Sequence, residues 1–116
     1  MITNDDMDAV FQALAHETRR EILDRLRDTP GLAVGELAAS FDVTRIAVMN
    51  HLSVLTKAGL ITSQKDGRTR RLFLNAMPLQ EIYERWIDSY SAHWLDRMSL
   101  IKQTAEAVAR KTGETP

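Results

Sequence analysis

Residues 43–60, VTRIAVMNHLSVLTKAGL, have the pattern of a single helix with one apolar face and one polar face. Thr44 is a suitable N-cap, because its hydroxyl oxygen can accept a hydrogen bond from a free backbone N–H of the first turn. Apolar residues recur at helical spacing and form a stripe that requires burial: Ala47, Val48, Leu52 and Leu55. Gly59 provides a C-terminal stop. The rest of the chain must therefore cover this stripe.

Four residues near the start of this helix lie off the stripe: Arg45, Ile46, Met49 and Asn50. A helix that is buried behind and carries Arg and Asn in front is suited to the DNA major groove, so we interpret it as a recognition helix. We expect Arg45 to pair with guanine and Asn50 with adenine; the alternative for each is contact with phosphate or water only. We expect Ile46 and Met49 to meet thymine methyl groups, and Thr44 to bond a phosphate as well as to cap the helix.

The segments before this helix complete a helix-turn-helix. The pattern predicts helices at residues 5–15, 18–27 and 35–41, and a single edge strand at residues 32–34. Asn4 or Asp5 is expected to cap the first helix. One face of the first helix comprises Met7, Val10, Phe11 and Leu14. The residues expected inside are Ile22, Leu23 and Leu26 of the second helix and Leu37, Ala38 and Phe41 of the third. The turn at Asp42-Val43 then leads into the recognition helix.

After Gly59 the pattern changes to that of two strands. Residues 60–65 and 69–74 flank Asp66-Gly67, a dipeptide typical of a two-residue hairpin turn. Three arginines lie at and just after the tip: Arg68, Arg70 and Arg71. Residues 43–75 have a net charge of +5, whereas residues 1–28 have a net charge of −3. We interpret the hairpin as a wing whose arginines bind phosphate or the minor groove; the alternative is a solvated, charged tip.

The C-terminal part is predicted to be one long helix that starts at Pro78. From Leu79 to Val108, apolar residues recur in eight steps over 29 residues, about 3.6 residues per step, which is the α-helical repeat. Such a helix is about 50 Å long, more than a domain of this size covers by itself, so we expect burial against a second copy. The expected dimer interface comprises Phe11, Leu79, Tyr83, Trp86, Tyr90, Trp94 and Met98. The alternative for the aromatic residues is a pocket for an organic effector.

The predicted fold class is mostly α with a small β-hairpin, a winged helix-turn-helix that dimerises through its terminal helices. Residues 1–78 are expected to form the DNA-binding core, with the first helix also at the dimer interface, and residues 79–112 the dimerisation helix.

Composition and residue types exclude several other functions. The chain has no Cys, which excludes disulfides, thiolate metal sites and thiol redox sensing. It lacks an apolar run of the ~18 residues needed for a membrane span, and its N-terminus is acidic, so we expect a cytoplasmic protein with no membrane partner. Catalytic-triad residue types occur at Ser89, Ser91, His93 and Asp96. They lie on one predicted helix with no orienting group from a second element, so we expect no enzymatic activity and no cofactor.

Three stretches of the chain resemble the ArsR/SmtB family of bacterial winged-helix repressors. Residues 13–26, ALAHETRREILDRL, are similar to the family's N-terminal signature, which commonly reads ALADPTRRRIL. Residues 34–61 resemble its helix-turn-helix, commonly VGELA…SRPAVSKHLRVLEEAGLV, and residues 65–74, KDGRTRRLFL, resemble its wing. The resemblance implies a homodimer that binds an inverted repeat in double-stranded DNA, represses transcription and releases DNA on sensing an effector.

The chain departs from the family where relatives bind metals. Members that sense arsenic or heavy metals carry cysteines in the first helix of the helix-turn-helix, where this chain has ELAAS at residues 36–40. Zinc-sensing members place Asp and His on the C-terminal helix. This chain has Asp88, His93 and Asp96 there without the family's second His, so we expect no metal site and interpret these residues as surface groups. The alternative is a metal site whose missing ligands come from the second subunit across a two-fold axis.

The chain also departs from the family on the presumed DNA face. Ile46 and Met49 stand where the family usually has Pro and Ser, so the operator sequence of relatives does not carry over. His51 stands where the family usually has His, and both a phosphate contact and a half-buried structural role fit it.

These observations together predict a sequence-specific DNA-binding transcriptional regulator, a homodimeric repressor that acts through residues 44–58 and the wing at residues 61–74. The alternative is a winged-helix protein-interaction module without direct DNA readout. The residues do not identify an effector.

Overall fold

The computed structural model describes residues 2–111, except for the side chains of residues 88–95 and 111. In chain order the elements are α1 (Asn4–Leu14), α2 (Glu17–Asp28), β1 (Leu32–Ala33), α3 (Val34–Ala39), α4 (Arg45–Lys57), β2 (Ile61–Asp66), β3 (Thr69–Leu74), α5 (Met77–Trp86) and α6 (Asp88–Lys111). The strands form an antiparallel sheet in the order β1-β3-β2. The predicted mostly helical fold class with a small hairpin is confirmed. The chain contains two compact units, Met1–Ile82 and Tyr83–Pro116.

The core of the first unit forms where the apolar stripes of the first four helices meet the sheet. Its buried members include Val10 and Ala13 of α1, Ile22, Leu23 and Leu26 of α2, Leu37 and Ala38 of α3, Val48, Leu52 and Leu55 of α4, and Leu60, Ile61 and Leu72 of the sheet region. The predicted stripe of α4 is therefore confirmed, although Ala47 is only half-buried. Phe11 on α1, which is expected at the dimer interface, is 46% exposed in the single chain.

The first helix begins one residue earlier than predicted, with a different cap. Thr3 Oγ1 accepts a hydrogen bond from the Asp6 N–H at 3.1 Å, and Asp6 Oδ2 accepts one from the Thr3 N–H at 3.1 Å. The predicted cap at Asn4 or Asp5 was wrong, because this reciprocal arrangement needs an acidic side chain three residues after the cap, and Asp6 has that spacing from Thr3. Hydrogen bonding of the Asp6 carboxylate, first to the Thr3 backbone N–H and then to the Thr3 side chain, lowers the pKa of Asp6.

The hairpin turn lies one residue later than predicted. Asp66 pairs with Thr69 in the ladder between β2 and β3, so the two-residue loop is Gly67-Arg68 and the prediction of Asp66-Gly67 was wrong. Gly67 has a φ of 63°, a conformation that glycine adopts without steric cost, and glycine at the first loop position is typical of a type II′ turn. The shift by one residue places Arg68 at the tip itself.

Three helices are joined by the side chain of Arg19. Its Nε donates to the Ala13 carbonyl at 2.8 Å and its Nη2 to the Gln12 carbonyl at 2.9 Å, both at the end of α1. Its Nη1 lies 3.3 Å from Nδ1 of His51 on α4. The His51 ring also packs on His16, with centroids 4.5 Å apart, and His16 caps α2 by accepting from the Thr18 N–H. These contacts fix the orientation of α4 relative to α1 and α2.

The terminal helix is divided, contrary to the prediction of one continuous helix. α5 ends at Trp86 and α6 begins at Asp88, although the Ile87 N–H still donates to the Tyr83 carbonyl at 2.8 Å. Ile87, Asp88 and Ser89 are weaker helix formers than Leu, Glu or Lys, and Asp and Ser compete for backbone hydrogen bonds.

In the described part of the chain, no helix is both long enough and apolar enough to cross a membrane.

The predicted interface residues have different environments. Leu79 packs partly against the core of the first unit. Tyr83, Trp86 and Met98 are exposed, Trp86 by 55%. The side chains of Tyr90 and Trp94 lie outside the described residues.

We predict that His51→Gln reduces the pH dependence of stability. Burial of His51, and then the nearby His16 and Arg19 charges, lower its pKa below the ordinary value of 6.5, so the folded protein favours the neutral ring. As pH falls through about 6.5, the unfolded chain takes up this proton before the folded chain does, and the free energy of unfolding decreases. Above that pH the contribution is fully present. Urea unfolding at about pH 7.5 and about pH 5.5 should show a smaller loss for the variant. Equal losses for both proteins would contradict this role of His51.

Candidate nucleic-acid interface

The front of α4 is exposed. Thr44 Oγ1 accepts a hydrogen bond from the Ala47 N–H at 3.1 Å, so the predicted cap is confirmed. All four residues expected on the front are exposed: Arg45, Ile46, Met49 and Asn50. Because the back of α4 is held by three buried side chains, these four residues form one outward face at the N-terminal end of the helix.

An open cleft lies between this face and the hairpin. Its volume is about 440 Å³, and its lining includes Arg45 and Met49 from α4 and Arg68 and Arg70 from the hairpin. A neighbouring cleft of about 390 Å³ shares Met49 and Arg70. The tertiary structure therefore brings together arginines that the sequence analysis could place only on separate elements.

The positive charge in the larger cleft is only partly compensated. Glu36 also contributes to its lining. Arg45 and Arg68 form no ion pair or side-chain hydrogen bond with any residue in the described part of the chain. Arg70 donates from Nη1 to the uncharged Ser63 Oγ at 2.9 Å. Three guanidinium groups thus line the cleft with a single carboxylate, and this arrangement attracts an anionic partner.

Arg71 differs from the other two arginines of the hairpin. Its Nε donates to Asp66 Oδ2 at 3.0 Å, and its Nη1 donates to the Gly31 carbonyl at 3.1 Å. Arg71 is half-buried and is absent from the lining of the cleft that contains Arg70. The alternation of side chains along a strand accounts for this difference, because neighbouring residues point to opposite faces of the sheet. Arg71 therefore ties the hairpin to the loop before β1.

His51 is half-buried, with its ring between α4 and the start of α2. Its Nδ1 already faces the Arg19 guanidinium. This environment fits the structural role expected for His51, and the phosphate contact stays a prediction. Arg19 itself was not predicted, because its acceptors come from α1 and α4 and share no local sequence pattern.

Other candidate sites gain no support from the described residues. Among the side chains that the structure describes, no group of three or more His, Asp or Glu is placed to hold a metal ion. Asp96 is exposed. The side chains of the other metal and triad candidates, Asp88, Ser89, Ser91 and His93, lie outside the described residues.

The comparisons with known proteins concern this same region. Residues 14–64 match the family model described as a helix-turn-helix domain. Over 91 residues, the chain is 41% identical to YuzN, an uncharacterized HTH-type transcriptional regulator of Bacillus subtilis (strain 168), and the match covers 73% of this chain and 99% of that protein. Over 75 residues, it is 32% identical to the transcriptional repressor SdpR of the same organism, with 65% of this chain and 82% of that protein covered.

The fold is similar to that of solved regulators. The structure of an ArsR-like transcriptional regulator from Rhodococcus sp. RHA1 matches with a TM-score of 0.65 and 36% identity, covering 89% of this chain and 93% of that chain. Similarity in sequence thus extends over nearly the whole of YuzN, and similarity in structure over nearly the whole of the Rhodococcus regulator. The chain belongs to the ArsR family of winged helix-turn-helix transcriptional regulators.

Proposed function

We propose that this protein is a homodimeric transcriptional repressor that binds an inverted repeat in double-stranded DNA through α4 and the β2–β3 hairpin. The observation that carries the proposal is the cleft lined by Arg45, Arg68 and Arg70. The three positive charges converge on one cleft, so a polyanion bound there gains a favourable electrostatic interaction with each of them. The chain as a whole has a net charge of −1, so the positive charge is concentrated on this face. The family is one of regulators, and we propose no catalytic role.

The repressor assignment is supported by the similarity to SdpR. A dimer bound across an operator blocks access of other proteins to the same DNA, which is the simplest way in which a protein of this size represses. Because its ligand is genomic DNA, we place the protein in the cytoplasm.

We assign different roles to the residues around the cleft. Arg45 and Asn50 read base edges, because they are exposed at the N-terminal end of α4, the part of a recognition helix that enters the major groove. Arg68 and Arg70 bind phosphate or the minor groove beside it. Thr44 accepts the Ala47 N–H with its hydroxyl oxygen, which leaves the hydroxyl proton available to donate to a phosphate beside the backbone N–H groups of the first turn.

The residues of the second unit support dimerisation. Trp86 is 55% exposed and Met98 is also exposed, although both are large and apolar. Phe11 on α1 is a further exposed aromatic residue. Large apolar surfaces of this kind are covered in stable proteins, and we propose that a second copy covers them. The two α4 helices of the dimer then bind half-sites about 34–36 Å apart.

Selection of binding sites from random duplex DNA is expected to enrich an inverted repeat, and variants then separate the roles of the arginines. Arg70→Ala should weaken binding to all sequences alike. The slope of log affinity against log salt concentration should become shallower by the contribution of about one phosphate contact per subunit. Arg45→Ala should change which base is preferred at one position of each half-site, at a cost of about 1–3 kcal/mol for the selected base.

The matched control for both variants is Arg27→Ala. Arg27 is an exposed arginine that pairs with Asp24 and Asp28 on α2, and its replacement should leave DNA binding unchanged.

Absence of any enriched sequence at low salt, with a dimer retained, would favour the protein-interaction alternative. A uniform loss of affinity in Arg45→Ala would assign that residue to phosphate binding.

We predict that Asp66→Ala weakens DNA binding, although it removes a negative charge from the hairpin. Asp66 holds Arg71, which in turn holds the Gly31 carbonyl, so its loss frees the hairpin to move. An exposed ion pair contributes about 0.2–1 kcal/mol, and we expect a loss of affinity of up to about five-fold. Asp42→Ala is the control, because Asp42 is an exposed acid beside α4 and its removal should strengthen binding or leave it unchanged. Stronger binding by Asp66→Ala would contradict this role of the Asp66–Arg71 ion pair in positioning the hairpin.

We predict that Trp86→Glu converts the dimer to monomers. Burial of a carboxylate in an apolar interface is costly unless the charge is paired. Sedimentation equilibrium measures the change, and Trp86→Phe, which keeps an apolar ring, should remain dimeric. A Trp86→Glu protein that stays dimeric at the same concentration would place the interface elsewhere.

A further inference from the structure

The front of α4 carries an apolar patch, Ile46 and Met49, that packing within the chain does not explain. Ile46 is 74% exposed, more than any other large apolar side chain in the described part of the chain, and Met49 is 44% exposed. Residues three apart on a helix are neighbours, so the two side chains share one face. An exposed Ile46 contributes little hydrophobic stabilisation, and a β-branched residue adds nothing to helix stability. The patch is therefore suited to a partner outside the chain.

The surroundings of this patch restrict the partner. Arg45 and Met49 line the same cleft as Arg68 and Arg70, and Asn50 is exposed beside the patch. A purely apolar partner would leave the three guanidinium groups of this cleft with the Glu36 carboxylate as the sole counter-charge among the described residues that line it. The partner must therefore present apolar groups within an anionic surface.

We propose that Ile46 and Met49 determine sequence preference by contacting 5-methyl groups of pyrimidines in the DNA major groove. The inference rests on the proposed function, and it names a chemical group that the bound DNA must display. Among the standard bases, thymine alone presents an apolar group on the floor of the major groove, its C5 methyl. 5-Methylcytosine presents the same group at the same position, so the two bases share the chemistry and thymine is its source in unmodified DNA.

The position of the two side chains agrees with the roles of their neighbours. Arg45 and Asn50 have the hydrogen-bonding groups that read guanine and adenine, and neither can recognise a methyl group. Ile46 and Met49 lie on the same outward face and supply the apolar contact surface that these two residues lack. Met49 has an unbranched, flexible side chain that adapts to a methyl group at the edge of the cleft, whereas Ile46 is rigid. A half-site read by this face is expected to contain at least one thymine next to the purines.

The test replaces thymine by deoxyuridine, which lacks only the methyl group, in the operator selected from random DNA. Each thymine is replaced first in one half-site and then in both, and affinity is measured at one fixed salt concentration. Loss of one buried methyl contact should weaken binding about four-fold, and about fifteen-fold when both half-sites are changed. We expect this loss at one or two thymines of each half-site and none at the others.

Protein variants then identify the contacting side chain. Each variant, Ile46→Ala or Met49→Ala, should bind two operators with equal affinity: the one with thymine and the one with uracil at the position that the replaced side chain contacts. Both residues are exposed, so the variants are expected to fold. Val54→Ala is the matched control, because Val54 is an exposed apolar residue of α4 that lines neither cleft, and it should keep the full four-fold difference.

A second set of operators tests the methyl group on a different base. At the sensitive position, the T·A pair is replaced by C·G and by 5-methylcytosine·G. The methylated pair should bind about four-fold more tightly than the unmethylated one, and Ile46→Ala or Met49→Ala should abolish the difference.

Three results would overturn the inference. Equal affinity for thymine and uracil at every position would exclude a methyl contact, while selection of an inverted repeat would still support the proposed function. If replacement of thymine by uracil still weakens binding of both alanine variants, the methyl contact belongs to other residues. Equal binding of the C·G and 5-methylcytosine·G operators would show that the thymine effect does not come from the methyl group. Failure to select any DNA sequence would instead overturn the proposed function itself.

Discussion

Burial of the back of α4 is the interaction on which the DNA-facing side of this protein depends. Val48, Leu52 and Leu55 are packed into the core, and Leu55 and Val48 are fully buried. A rotation of α4 about its axis would expose these side chains, at a cost of about 1.5–3 kcal/mol for each. The outward direction of Arg45 and its neighbours is thus set by apolar side chains on the opposite face. The Arg19 contact with His51 adds a polar constraint at the side of the same helix.

The hairpin is oriented by a second set of contacts. β3 lies between β1 and β2, so the hairpin is attached through a ladder to the segment that precedes α3. Arg71 reinforces this attachment by bonding the Gly31 carbonyl on one side and Asp66 on the other. This leaves Arg68 and Arg70 as the hairpin cations that line the cleft. Neighbouring arginines on one strand therefore have separate environments: Arg71 holds the hairpin, and Arg70 lines the cleft that we propose binds DNA.

Two groups of exposed apolar residues have different surroundings. Trp86 and Met98 belong to the unit formed by the terminal residues, and we propose that a second copy of the chain covers them. Ile46 and Met49 stand among arginines at the front of α4, and we propose that methyl groups of DNA bases cover them. The number of charges nearby differs between the two groups: Met49 lines a cleft with three arginines, which favour an anionic surface, whereas Trp86 has, among the described side chains, a single guanidinium nearby, that of Arg85, 5.3 Å from its ring centroid.

Much of the fold followed from local patterns in the sequence. The α4 stripe, the Thr44 cap and the β3 boundaries were predicted, because helical periodicity, capping and alternation act over a few residues. The errors at Thr3, at the hairpin turn and at Ile87 concern boundaries, where several neighbouring residues compete for the same hydrogen bonds. The family resemblance was confirmed by relatives that match over most of their length.

Only the tertiary structure decided how the charged residues divide their roles. The sequence placed Arg68, Arg70 and Arg71 together as equivalent hairpin cations, and the fold separated them because Arg71 meets a carbonyl 40 residues away. It also assigned His51 to a contact with Arg19, 32 residues away, and brought Arg45 into one cleft with Arg68 and Arg70. Local patterns determine which elements form, since their forces act between neighbours in the chain. Which side chains remain available for a partner depends on contacts between distant segments, and those exist only after the chain has folded.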